Sequence, residues 1–275
     1  MAGRFVALGD SYTEGVGDRD DAYPNGVRGW ADRVAKQLGR ANPSWEYANL
    51  AIRSKVLDDI VDEQVEQALA LEPTLVSFFA GGNDILRLRS DVPDVLRRYE
   101  AAIARIASSG ARLLLFTSYD VRVSPLLEPL RPRNNAFNRG IRRIAAEHDA
   151  ILIDHWAMTA YADPRMWDTD RLHMSRHGHK YLAAKVLAAL RVDHTLAPKQ
   201  FKPLSPLTFG QALARERDWF GEWISPLIAR KLRGETLGDT LTPKWPEPIR
   251  PAEGMKRQAA RSTSSARALG PGEHD

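Results

Sequence analysis

Five short apolar runs punctuate the chain: "RFVAL" at 4, "WEYANL" at 45, "TLVSFF" at 74, "ARLLLFT" at 111 and "AILID" at 150. Each is the length of a strand. Between them, "GWADRVAKQLG", "KVLDDIVDEQVEQALAL", "DVPDVLRRYEAAIARIASSG" and "NNAFNRGIRRIAAEHD" place apolar residues three or four positions apart. That spacing predicts amphipathic helices, with Gly39 and Gly110 as their stops. Strands alternating with helices imply an α/β fold: a five-stranded, mostly parallel sheet with helices on both faces. In such sheets ligands gather beyond the carboxyl ends of the strands, so the residues just after each run are where chemistry is expected.

A last helix of this block is predicted over residues 179–191. Three prolines between Leu196 and Pro206 then break regular structure. In "TFGQALARERDWFGEWISPLIARKL" a further helix is expected, with Phe209, Leu213, Phe220, Ile224 and Leu227 on one face that docks on the domain or else serves as a dimer contact, membrane surface or substrate lid. Pro226 should kink or end it. From Thr242 the chain is Pro-rich and then too poor in apolar residues to pack, which predicts disorder. The expected organisation is an α/β domain over 1–195, a helical extension over 196–241 and a disordered tail over 242–275.

Charge narrows the partners. The net charge is +4, yet residues 1–197 hold 26 basic and 26 acidic side chains, so the excess falls in the tail. A folded body without a basic stripe argues against nucleic acid. No apolar stretch is long enough to cross a membrane, no signal-peptide pattern opens the chain, and there is no cysteine. A cytoplasmic location without disulfides is expected.

Ser11 follows the first strand in "FVALGDSYTEGVGD". A serine there is either a helix cap or, given a base, a nucleophile. The sequence "GDSYT" is not a GxSxG elbow, because its last position is Thr13. After the third strand, "FFAGGNDIL" offers Asn83, whose amide can donate to a developing oxyanion, or a tight turn with an Asx cap. After the fifth, "DTDRLHMSRHGH" sets Asp170 three residues before His173, a spacing that lets the carboxylate orient the imidazole. Asp168, His177 and His179 compete for these roles. The three histidines lack the carboxylate or thiolate pattern that completes a zinc site, so neither metal nor cofactor is expected. "NLAIRSK", after the second strand, could aim a backbone amide into the same cleft. Neither a GxGxxG nor a P-loop follows the first strand, which argues against nucleotide binding.

In order, these four blocks resemble the SGNH hydrolase superfamily, also called the GDSL esterases and lipases, over roughly residues 3–192. The resemblance implies a flavodoxin-like α/β/α sandwich and hydrolysis of a small-molecule ester. It assigns Ser11 as nucleophile, His173 as base oriented by Asp170, and Asn83 to the oxyanion hole. There are two departures. Tyr12 stands where leucine is usual, outside the chemistry. Ser54 stands where a glycine normally gives an oxyanion-hole N–H; if the shape needs positive φ, serine costs about 1 kcal/mol. A catalytically impaired protein that binds acylated ligands is the alternative. Asp10 is expected to tie down the loop rather than react. The loop 119–134 and the segment "HWAMTAYADPRMW" should wall the cleft, and their apolar content favours a modest acyl or aryl ester.

Overall fold

Every residue of strand β1 (Arg4–Gly9) after Arg4 is buried, because the strand runs through the middle of the sheet. The computed structural model describes residues 3–87, 90–120, 125–205, 208–226 and 237–268. β1 pairs in parallel with β2 (Glu46–Asn49) on one side and β3 (Leu75–Phe79) on the other. β4 (Arg112–Phe116) and β5 (Ile151–Ile153) continue from β3 in parallel, giving the order β5-β4-β3-β1-β2. The direction of strand addition reverses at β1, so a crevice opens between the loops that follow β1 and β3.

Alternation along β1 sends Phe5 and Ala7 to one face of the sheet and Val6 and Leu8 to the other. On the first face they meet Trp30, Val34 and Leu38 of helix α2 (Gly29–Ala41), which follows the short α1 (Ser11–Glu14). On the second they meet α3 (residues 57–70), whose middle turn, Val61–Val65, widens to a π-helix. Beyond the short α4 (Gly82–Ile85), this second layer is completed by α5 (Val92–Ala107) and α6 (Arg131–Glu147), through Tyr99, Ile103, Phe137 and Ile141. α7 (Arg176–Ala189) returns to the first face with Leu182 and Val186. Its cap is Ser175, whose side chain accepts from the N–H groups of His177 and Gly178, so the helix begins three residues before the predicted start.

The tail differs from its expectation. A sixth strand, β6 (Trp245–Ile249), pairs antiparallel with β2 and extends the sheet at that edge. Pro246 and Pro248 hid it, since proline is excluded from central strands but tolerated at an edge. Burial holds it there. The Lys244 ammonium, fully enclosed, donates to the carbonyls of Val27 (3.2 Å) and Arg28 (2.8 Å) and to Asp32 Oδ2 (2.6 Å), while Trp245 Nε1 donates to Asp32 Oδ1 at 3.1 Å. A final helix spans Met255–Ala268, and its Met255 and Ala259, one turn apart, pack into the first-face core. Two well-placed contacts suffice where overall composition suggested none.

The extension helix α8 (Phe209–Trp219), which precedes the final helix α9 (Met255–Ala268) along the chain, carries on through Phe220–Ile224 as a π-turn. Its apolar stripe does not dock. Phe209 is 84% exposed, Leu213 60% and Phe220 44%; the helix is seated instead by the buried Trp219. Leu227 and the side chain of Ile224 lie outside the described residues.

Candidate active site

Gly9 ends β1 at φ +145°, and a Cβ there would fall 2.4 Å from the Phe79 carbonyl oxygen. Only glycine lets β1 and β3 approach so closely at their carboxyl ends. The Gln64 side chain satisfies both polar groups of Gly9, at 2.9 and 3.0 Å. The next residue, Asp10, caps α1 by accepting from Tyr12 N–H at 3.0 Å. Ser11 is therefore the first residue of a helix, lodged at the crevice and 6% exposed. Burial pushes the Asp10 carboxyl up to about 7.

Ser11, His173 and Asp170 form a continuous line. Ser11 Oγ lies 3.0 Å from His173 Nε2, and His173 Nδ1 lies 2.5 Å from Asp170 Oδ2. Asp170 Oδ1 also accepts from the N–H groups of Leu172 and His173, each at 2.9 Å. Burial raises this carboxyl, but the imidazole and the two N–H donors outweigh it and hold it below the ordinary carboxylate value. The loop is braced from outside the α/β block. Trp219 Nε1 donates to the Asp170 carbonyl at 2.7 Å, and Arg171 lies over the Trp219 ring and pairs with Glu216 at 2.6 Å. Tyr12 braces it from within: its hydroxyl donates to the Leu172 carbonyl at 2.6 Å. That tie gives Tyr12 a place in the site's architecture which the sequence comparison alone did not assign.

Asn83, at the start of α4, donates its amide to the Lys55 carbonyl at 2.8 Å and makes a longer contact, 3.4 Å, with Asp10 Oδ2. Ser54 has φ +70°, the left-handed shape that favours glycine. Buried polar groups set this loop. Glu14, fully enclosed in the turn after Ser11, accepts from Arg53 N–H at 2.7 Å and pairs with its guanidinium at 2.6 and 2.9 Å. Asn49 bonds the Thr13 carbonyl through Nδ2 and the Ala51 N–H through Oδ1. Sequence reasoning missed Glu14, Arg53 and Asn49; the available signal was a set of polar residues inside otherwise apolar strand ends.

Ser11, Asn83, Ser54 and His173 all open onto one cavity of about 170 Å³, walled mainly by apolar side chains that include Tyr12, Phe79, Ile85, Leu86 and Leu172. From the segment 119–134 come Tyr119, Leu130 and, in the first turn of α6, Asn134; residues 121–124 lie outside the described residues. The segment 155–167 does not reach the cavity. Tyr161, Met166 and Trp167 turn into the core, where Trp167 packs behind Tyr119 at 4.7 Å. The competing side chains sit elsewhere. His179 Nε2 lies 3.0 Å from the Val16 carbonyl, His177 packs edge-on against Phe201, and the Asp168 N–H donates to the His173 carbonyl. Among the described residues no three His, Cys, Asp or Glu side chains are grouped to hold a metal.

Comparisons with known proteins show the same kind of fold. Solved structures of similar fold include LAE5, an alpha/beta hydrolase enzyme from the metagenome of Lake Arreo, Spain, at 22% identity and TM-score 0.59, matched over 70% of this chain and 97% of its own. The acetylxylan esterase Axe2 from Geobacillus stearothermophilus gives 20% identity and TM-score 0.59 over 68% and 94%. The psychrotrophic esterase EstA from Pseudoalteromonas sp. gives 16% and 0.56 over 69% and 97%. No curated protein sequence matches the chain. The model of the GDSL-like Lipase/Acylhydrolase family matches residues 7–181, which is more than half of the chain. The protein therefore belongs to the GDSL-like lipase/acylhydrolase family and is a carboxylic ester hydrolase.

Proposed function

We propose that the protein hydrolyses esters of a small apolar acyl or aryl group through an acyl-enzyme on Ser11. The observation that carries this reading is the line Ser11–His173–Asp170, at 3.0 and 2.5 Å, on the floor of an apolar cavity. With its proton on Nδ1 and held by Asp170, His173 presents Nε2 to accept the Ser11 hydroxyl proton as Oγ attacks the ester carbonyl. The tetrahedral oxyanion is held by the N–H of Ser11, the N–H of Ser54 and the side-chain amide of Asn83. Collapse breaks the bond to the alcohol, which takes the proton from His173. Water then repeats the sequence, attacking the acyl-serine and returning the proton to Ser11.

Three features support a working oxyanion hole rather than a binding protein without turnover. Ser54 adopts the left-handed backbone itself, so its cost is strain rather than a missing donor. Arg53, next to it, is locked to Glu14 in the turn that carries Ser11, which fixes one donor relative to the other. One N–H of Asn83 is held by the Lys55 carbonyl at 2.8 Å, and the other makes only the long 3.4 Å contact with Asp10 Oδ2, which an oxyanion can replace. As for size, a cavity of about 150 Å³ holds a benzene-sized ligand, so the volume here fits a phenyl ring or a comparable short acyl chain.

Kinetics of single variants test the assignment. Ser11→Ala and His173→Ala should each lower kcat for p-nitrophenyl acetate by roughly 10⁶-fold. Hydrolysis that survives Ser11→Ala undiminished would remove Ser11 as nucleophile.

A further inference from the structure

The family match ends at residue 181, and the compared structures reach only 68–70% of this chain although nearly all of their own length is matched. Yet Leu237, far beyond that limit, lines the same cavity as Ser11, Asn83 and His173. Its position is fixed by its neighbours. Gly238 is buried against the loop before Ser54, so closely that a Cβ there would stand 2.2 Å from the Arg53 carbonyl oxygen and 3.0 Å from Ile52 Cγ2. The Leu241 N–H closes a turn onto the Gly238 carbonyl at 3.0 Å, and the Thr242 carbonyl accepts from Asn25 at 3.1 Å. Lys244 then anchors the chain in the core through Asp32. On the other flank Trp219 holds the Asp170 carbonyl.

The extension thus touches the loop that carries Asp170 and the loop that carries Ser54, and it supplies a wall to the cavity that both border. Leu237 is 53% exposed, an apolar side chain whose outer half is bare until something apolar covers it. We infer that the C-terminal extension completes the substrate site and that Leu237 sets how large an apolar group the ester may carry. The inference rests on the ester-hydrolase site proposed above.

Two substrate series test it: p-nitrophenyl esters from acetate to octanoate, and alkyl acetates from methyl to octyl, each with wild type, Leu237→Ala and Leu237→Trp. Half-exposed, the position tolerates both side chains, and a ratio of two substrates cancels any loss of folded protein. In at least one series Leu237→Ala should raise kcat/KM for the longest ester relative to the shortest about tenfold, and Leu237→Trp should lower it by a similar factor. Ratios that are the same in all three proteins, in both series, overturn the inference. Failure of the wild type to take up a fluorophosphonate on Ser11 overturns the site itself and the inference with it.

Discussion

At the scale of single residues, the most informative position is Ser54. Its φ of +70° means that the loop keeps a shape normally given to glycine, and a serine there costs about 1 kcal/mol. Ser54→Gly should therefore raise stability by up to about 1 kcal/mol in thermal unfolding and leave kcat within about threefold, because the N–H is the same in both. A gain in kcat above tenfold would mean that the serine displaces the donor. Asp10 adjoins Ser11 but has a different task. Its carboxyl caps the turn through Tyr12 N–H and so ties down the loop, whereas the local sequence offered Ser11, one position later, as the helix cap. Glu14 was not legible from the sequence, since its partner Arg53 lies 39 positions along and no sequence period joins them.

Elements explain why these residues meet. The ends of β1 and β3 could be read from apolar runs that stop at glycine, and Asp170 and His173 were legible as a pair because three positions place them on one turn. What lay beyond reading was the bracing of that turn by α8. The stripe of Phe209, Leu213 and Phe220 suggested the docking face, yet helical periodicity identifies an apolar face without saying what it meets. The contact is made by Trp219, whose indole N–H reaches the Asp170 carbonyl. Trp219→Phe keeps a ring beneath Arg171 and deletes that hydrogen bond, worth about 1 kcal/mol. A drop in kcat of about fivefold with KM within twofold is expected for p-nitrophenyl acetate. A raised KM at unchanged kcat would place Trp219 in substrate binding instead.

Across the whole molecule, the C-terminal residues belong to the hydrolase rather than hanging from it. β6 covers the edge of β2, Lys244 and Asp32 are both fully enclosed, and burial raises the Asp32 carboxyl against the pull of Lys244. From Asp32 the hydrogen bonds run through the Tyr47 hydroxyl to Asn49 and so to the Thr13 carbonyl, two residues past Ser11. Composition could not foretell this, because it averages over the tail and does not mark which few residues, Lys244, Trp245, Met255 and Ala259 among them, find buried partners. Lys244→Met strands the Asp32 carboxylate in the core and should cost about 3–5 kcal/mol in urea unfolding. A loss below about 1 kcal/mol would show that the tail is not anchored there.

All three scales converge on one hydroxyl. The direct test is mass spectrometry of the intact chain and its peptides after reaction with a fluorophosphonate. The account predicts a single adduct on the peptide that carries Ser11, loss of p-nitrophenyl acetate hydrolysis in step with labelling, and no adduct in Ser11→Ala. An adduct on another residue, or hydrolysis that persists in fully labelled protein, would contradict it.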